Sequence, residues 1–340
     1  MTLKPLLVTV IPALFITLSL FSHSSKAAVT WQQINENVQF LKQQDKLRFY
    51  DSNQVLIEGE QCALMVDASG NFAAVEALAK QLKKHLKTPL CYLVATHFHD
   101  DHLLGMAVLQ NAFPKAQLIV HKQVADNFAT YQQAYDDKLA GYEKSIELSY
   151  QRLATLPEQQ QTQWREKLSL AKQRFLRWKK YHLKSPSTVI SEQQSIDLGN
   201  FAVQITPEKA HTNGDLTLST NNGTLLIGGD IVDWLPYPGH GQLQNWQALL
   251  KRYINQPNLR TILPGHGGAL EKAQLKQPLL FLTNLITHVK NNKKQTLEQL
   301  TESFPADVLA PYKQEALNTK SSQLFLQAGL KRAQLIEHAQ

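Results

Sequence analysis

Cysteine is scarce in this chain, with two in 340 residues, Cys62 and Cys91, so at most one intrachain disulfide can form. No internal repeat of solenoid length appears, which removes stacked-repeat architectures. No low-complexity linker divides the chain. Beyond Phe21 no apolar run approaches the roughly 20 residues that a bilayer span needs. A Gly-x-Ser-x-Gly nucleophile elbow is also missing. Lysine and arginine outnumber the acids 35 to 28, a formal charge of +7. Yet there is no arginine-rich arm and no basic patch interleaved with aromatics. The bunch Arg174, Arg177, Lys179 and Lys180 lies in a helical pattern and reads as a solvated face. Nucleic acid is therefore not an expected partner.

The first residues read as a leader. Lys4 precedes an apolar run from Leu6 to Phe21, and Ser25 and Ala27 fit the small-x-small rule, placing cleavage after Ala27. An uncleaved anchor is the competing reading. Losing Lys4 and Lys26 takes the charge from +7 to +5. The expectation is an exported, periplasmic protein without stable membrane insertion. Export makes a disulfide chemically possible. A bridge between Cys62 and Cys91 and a pair of buried free thiols both fit, since neighbouring parallel strands rarely offer bridge geometry.

Hydrophobic periodicity predicts strands at Leu47 to Tyr50, Gln54 to Glu58, Cys62 to Asp67, Leu90 to Ala95 and Gln117 to His121. Helices are predicted at Phe72 to Leu86 and Leu103 to Asn111. From about residue 122 to 184 the period is helical, with stripes Val124, Phe128, Tyr131, Tyr135 and Trp164, Leu168, Ala171, Phe175, Trp178. Thr155 to Glu158 resembles a capping box opening a second long helix, so this segment reads as an inserted helical hairpin. Strands resume near Thr188, Ser195, Phe201, Leu216, Thr224 and Arg260, with a helix at Gln242 to Ile254. From Leu270 onward the chain reads as helices.

The chemistry concentrates at strand ends. His97-Phe98-His99-Asp100-Asp101-His102 follows an apolar strand and gathers three imidazoles and two carboxylates, donor types that Zn²⁺ accepts. His211 lies in the run Ala210-His211-Thr212-Asn213-Gly214-Asp215, Asp230 follows Gly228-Gly229, and His266 follows Pro264-Gly265. His85, His121, His182, His288 and His338 sit in helical or strand-end patterns and read as structural or exposed.

These four segments, in this order, resemble the metallo-β-lactamase-fold hydrolases over about Leu47 to Gly268. The resemblance implies a four-layer αβ/βα sandwich across residues 28–268, carrying the helical insertion, with a C-terminal helical region, 269–340, packed on it. It implies two Zn²⁺ ions, with Fe or Mn also possible. His97, His99 and His211 would hold the first, Asp101, His102 and His266 the second, and Asp230 would bridge them. Asp101 is the expected aid to proton transfer, and Asp100 falls at the variable position. Asp67, Thr96 and Asp215 are expected to support the ligands. Tyr237 and His240 are expected to face a small-molecule substrate.

The implied activity is attack by a metal-bridging hydroxide on an ester, thioester, lactone or related carbonyl, as in glyoxalase II-like members with a bridging Asp. Class-B-type β-lactam hydrolysis is the alternative, although Asp230 replaces the usual Cys or Ser and Asp233 the usual lysine. A metal-binding protein without turnover is the opposing reading. The sequence leaves the scissile bond, the metal identity and the oligomeric state open.

Overall fold

Near-continuous apolar runs in the central strands, whose side chains point alternately to opposite sides, give each sheet two apolar faces, and the chain covers both. The computed structural model describes residues 31–42, 50–314 and 316–339; the expected leader and most of the strand expected at Leu47 to Tyr50 lie outside them. The chain begins with β1 (Gln32–Gln33), β2 (Val38–Leu41), β3 (Gln54–Glu58), β4 (Ala63–Val66), α1 (Phe72–His85), β5 (Leu90–Val94), α2 (Asp100–Leu103), α3 (Met106–Ala112) and β6 (Gln117–His121). Three helices follow, α4 (Lys122–Asp126), α5 (Phe128–Leu153) and α6 (Glu158–Lys180), and then β7 (Thr188–Ile190). The second half runs β8 (Gln194–Asp197), β9 (Ala202–Glu208), β10 (Asp215–Thr220), β11 (Leu225–Gly229), α7 (Leu243–Asn255), β12 (Thr261–Pro264) and β13 (Leu270–Glu271). It closes with α8 (Lys276–Asn291), α9 (Leu297–Glu302), α10 (Ala306–Leu309) and α11 (Ala316–His338).

One sheet orders its strands β1-β2-β3-β4-β5-β6-β7 and the other β13-β12-β11-β10-β9-β8. Along β4, Leu64 and Val66 point to one side and meet Val203, Ile205, Leu216, Leu218, Ile227 and Leu263 of the other sheet. Ala63 and Met65 point the opposite way, into a cluster with Phe72, Val75 and Leu78 of α1 and Met106 of α3. In the second sheet Leu226 and Ile262 turn outward onto Trp246 and Leu250 of α7 and Phe281 and Leu285 of α8. The result is helix, sheet, sheet, helix, the αβ/βα sandwich expected. Burying a side chain such as Leu64 contributes roughly 1.5–3 kcal/mol against leaving it exposed. Among the described residues no helix is long and apolar enough to cross a membrane.

The hairpin occupies the crossover between β6 and β7, which pair in parallel and therefore need a long connection. Val124, Phe128, Leu168 and Phe175 are buried, while Trp164 stands exposed. The expected capping box is not formed. Pro157 is the N-cap of α6 without a side-chain bond, and Thr155 Oγ1 instead donates to Arg152 O (2.8 Å), a carbonyl in the last turn of α5. The single helix expected at Leu103 to Asn111 is two helices and starts earlier, at Asp100. The break falls at Gly105, which lies so close to β4's exit that a Cβ there would stand 2.3 Å from Ser69 O. Leu270–Glu271 is a short edge strand rather than helix, and β1 and β2 extend the first sheet beyond the strands expected.

The cysteines form a disulfide, not two buried thiols. The ladder between β4 and β5 slips there. Ala63 pairs with Leu90 but Leu64 pairs with Tyr92, which leaves Cys91 as an unpaired residue free to turn toward Cys62. Their Cα atoms are 5.6 Å apart, within bridge range.

Candidate metal centre

Most polar side chains of the centre stand at or just past a strand end, and several are fixed from behind. Just past β4, Asp67 takes a left-handed φ of +59°, which Asp tolerates better than most residues. Its carboxylate accepts hydrogen bonds from Thr96 N (2.7 Å), Thr96 Oγ1 (2.8 Å) and His102 Nδ1 (2.8 Å). His102 therefore presents Nε2 inward. Thr96 Oγ1, having donated to Asp67, accepts from His97 Nδ1 (3.1 Å), so His97 also presents Nε2. His99, the N-cap of α2, presents Nδ1, and its Nε2 donates to His240 Nδ1 (2.8 Å). The loop carrying His211 closes on Asp215, which accepts from Ala210 N (2.9 Å), Thr212 N (3.0 Å) and Thr212 Oγ1 (2.6 Å).

Two glycines make room on the other side. Gly229 has φ +51°, and Gly265 approaches so closely that a Cβ would stand 2.0 Å from Asp230 Oδ1. His266 leaves β12 with its backbone N–H bonded to Asp233 Oδ1 (2.9 Å). Asn53 braces the same loop, donating through Nδ2 to Pro264 O (2.8 Å) and Gly267 O (2.9 Å).

All seven residues expected as ligands come together. His97 Nε2 and His211 Nε2 lie 3.0 and 3.1 Å from His99 Nδ1. A tetrahedral Zn²⁺ with bonds near 2.05 Å has ligand edges of about 3.3 Å, so the three nitrogens span the face of such a site. In the other group His266 Nε2 lies 3.3 Å from Asp101 Oδ2 and 3.4 Å from His102 Nε2. Asp230 stands between them. Its Oδ2 is 3.5 Å from His211 Nε2 and 3.4 Å from His266 Nε2, while Oδ1 is 3.0 Å from His102 Nε2. Donor atoms of His97, His99, His211 and Asp230 fall within 4.8 Å of one another, as do those of Asp101, His102 and His266. A cation would also satisfy Asp230 Oδ1, a buried acceptor that no well-aligned hydrogen bond reaches although His102 Nε2 lies 3.0 Å away.

As free side chains the two groups differ in charge. Burial holds His97 far below its ordinary pKa and lowers His99 to about 4 and His211 to about 3, so these imidazoles are neutral donors at pH 7. Burial also opposes protonation of His102 and His266. There it is outweighed, at His102 by Asp230, Asp67 and Asp101, and at His266 by Asp230, Asp233 and Asp101, which bring His266 to about 9. For Asp101 and Asp230 the penalty of burial is overcome by His102 and His266, and both carboxyls are held below the usual range. Asp215, enclosed without a cation, rises to about 6 through burial.

The centre opens into a cleft of about 410 Å³ floored by His99, Asp101, Asp230 and His266. Its walls are Phe98, Lys138 of α5, Tyr237, His240 and Phe325 of α11, so both helical additions reach it. Tyr237 and His240 thus face the cleft as expected, and His240 in addition fixes His99. Two larger surface clefts, about 630 and 620 Å³, contain none of the clustered histidines. His121 caps α4, accepting from Gln123 N (2.9 Å), and His288 bonds Leu300 O (3.1 Å), both outside the centre. Sequence reasoning missed Asn53, Lys138, Phe325 and the brace from Asp233. Only Asp233 carried a local signal, an acid three residues after Asp230.

No curated protein matches the chain by sequence. The structure is similar to a metallo-beta-lactamase from Pontibacter korlensis (TM-score 0.52, 17% identity), covering 75% of this chain and 99% of that one. It is also similar to the stereoselective inverting sec-alkylsulfatase Pisa1 from Pseudomonas sp. (TM-score 0.60, 15% identity), covering 89% of this chain and 50% of that one. At such identities the likeness concerns the fold. The family model described as "Metallo-beta-lactamase superfamily" matches residues 47–266, the stretch that holds every clustered ligand candidate, and the chain belongs to that superfamily.

Proposed function

We propose that this chain is an exported, periplasmic binuclear zinc hydrolase of an ester, thioester, lactone or related carbonyl. The observation that carries the reading is the position of Asp230, with one oxygen within 3.5 Å of a nitrogen from each group. His97, His99 and His211 would hold one ion, Asp101, His102 and His266 the other, and Asp230 both. Bound there, two ions supply Lewis-acid polarisation and a nucleophile drawn from water near neutral pH. Imidazole and carboxylate donors also fit iron or manganese.

The protein's own groups do the rest. Asp67, Thr96 and His240 fix the orientations of His102, His97 and His99, aiming Nε2 of the first two and Nδ1 of the third inward. Asp101 reaches the cleft floor, where its carboxylate can accept and return a proton. Phe98, Tyr237 and Phe325 exclude water from the substrate's flank. Asp233, buried against the His266 backbone, occupies the position of the lysine that grips a lactam carboxylate, which favours the carbonyl reading over β-lactam hydrolysis. The leader-like N-terminus and the Cys62–Cys91 disulfide support export to an oxidising compartment.

The test combines metal analysis with a panel of thioesters, lactones, esters, β-lactams and phosphodiesters. Protein folded with zinc should carry two equivalents, and Asp101→Ala should lose roughly 10²–10⁴-fold in turnover. Less than about one equivalent of metal, or equal rates from both proteins, would sink the reading.

A further inference from the structure

Resting on the cleft as the substrate site, we propose that Lys138 selects a substrate bearing a single negative charge beside an apolar body. α5 lies across the loop that carries His99. Tyr131 stacks on Phe98, with ring centroids 4.8 Å apart and planes at 1°, and Lys138, two turns further along the same face, reaches the cleft. Its ammonium pairs there with Asp100, the residue of the histidine motif that belongs to neither ligand group. Both partners are about half exposed, at 44% and 51%, so the pair contributes little and exchanges readily for another anion. Asp100 thus holds the place of a substrate's charge. The neighbouring walls are aromatic, Phe98, Tyr237 and Phe325, which suits an alkyl or aryl body and not a second charge. Lys138 comes from the helical hairpin, so this preference belongs to the insertion and not to the sandwich that carries the ligands.

The alternative is a salt bridge that merely docks α5, and the two readings differ in sign. Zinc-loaded wild type, Lys138→Gln, Lys138→Arg and Asp100→Asn are assayed on 4-nitrophenyl butyrate and on the mono-4-nitrophenyl ester of glutaric acid. Lys138→Gln should raise KM for the charged ester about fivefold more than for the neutral ester, the size of an exposed ion pair. Lys138→Arg should restore most of it. Asp100→Asn should lower KM for the charged ester, opposite to the lysine variant. A docking bridge would shift both esters alike, and would shift them the same way in Lys138→Gln and Asp100→Asn; either result overturns the proposal. Calorimetric binding of the uncleaved pair, glutaric acid monoanilide and butyranilide, gives a readout independent of turnover. If neither ester turns over but wild type prefers the charged anilide and Lys138→Gln does not, the hydrolytic reading falls and Lys138 stands. If wild type shows no such preference, or Lys138→Gln keeps it, the Lys138 assignment falls.

Discussion

Asp67 fixes two imidazoles from one carboxylate, His102 directly and His97 through Thr96. Asp67→Asn leaves a single acceptor oxygen and an amide that cannot hold His102 Nδ1–H and Thr96 together. Metal affinity should fall about 10–100-fold while the fold persists, measured by competition with a chelator; an unchanged affinity would mean the ligands need no such support. The charges of the two groups give a pH prediction. His99 and His211, lowered to about 4 and about 3, have no proton to lose above pH 7, whereas His266, raised to about 9, must release one when a metal enters. Affinity of the second group should therefore rise at least about tenfold between about pH 7 and pH 8.5, and that of the first should stay flat. Chelator competition at the two pH values checks it, and equal slopes for both groups would contradict the assignment. The ligands themselves were legible because they are polar residues placed at apolar strand ends. Asn53 and the role of His240 were not, because their partners lie 214 and 141 residues away and only the closed sandwich brings them together.

The helical hairpin was legible as a period and not as a contact. Its 3.6-residue stripes located α5 and α6, yet what α6 docks on depends on α1, far off in sequence. Glu76 of α1 takes Arg177 Nε (3.2 Å) on one oxygen and Tyr181 OH (2.8 Å) on the other, and Trp178 Nε1 donates to Gly70 O (3.3 Å). Glu76 and Arg177 are partly exposed, at 25% and 39%, which discounts the charged bond. Glu76→Ala should then cost about 1–2 kcal/mol in denaturant unfolding, with metal stoichiometry intact. Loss of metal on this substitution would mean that the hairpin holds the centre together as well as walling it. The misread capping box follows from the same limit: Thr155 had two neighbours to bond, and the carbonyl of the preceding helix won.

At the scale of the molecule the centre lies where the two sheets meet. Leu216 N of the second sheet donates to Thr96 O, just past β5 of the first (2.7 Å), and Asn53 N, just before β3 of the first, donates to Gly265 O, just past β12 of the second (2.7 Å). Both bonds lie among the ligands, so the sheets must be in register for the seven side chains to converge. The layered class could be read from the order of strands and helices; this registration could not, because it depends on packing between faces that periodicity only marks as apolar. The disulfide works at the opposite ends of β4 and β5 from Asp67 and His97, roughly 17–20 Å away at about 3.3 Å per residue. It closes a loop of 29 residues in sequence, which restricts the unfolded chain by about 3–4 kcal/mol in the loop-entropy account. The double variant Cys62→Ser/Cys91→Ser should therefore melt about 4–6 °C lower. Its metal content and its turnover at 25 °C should match wild type, because the strand ends that carry ligands are held by hydrogen bonds the bridge does not touch. A Tm shift below about 2 °C would show that the unfolded chain is already constrained there, and lost metal would show that the slip at Cys91 is transmitted along β5 to His97.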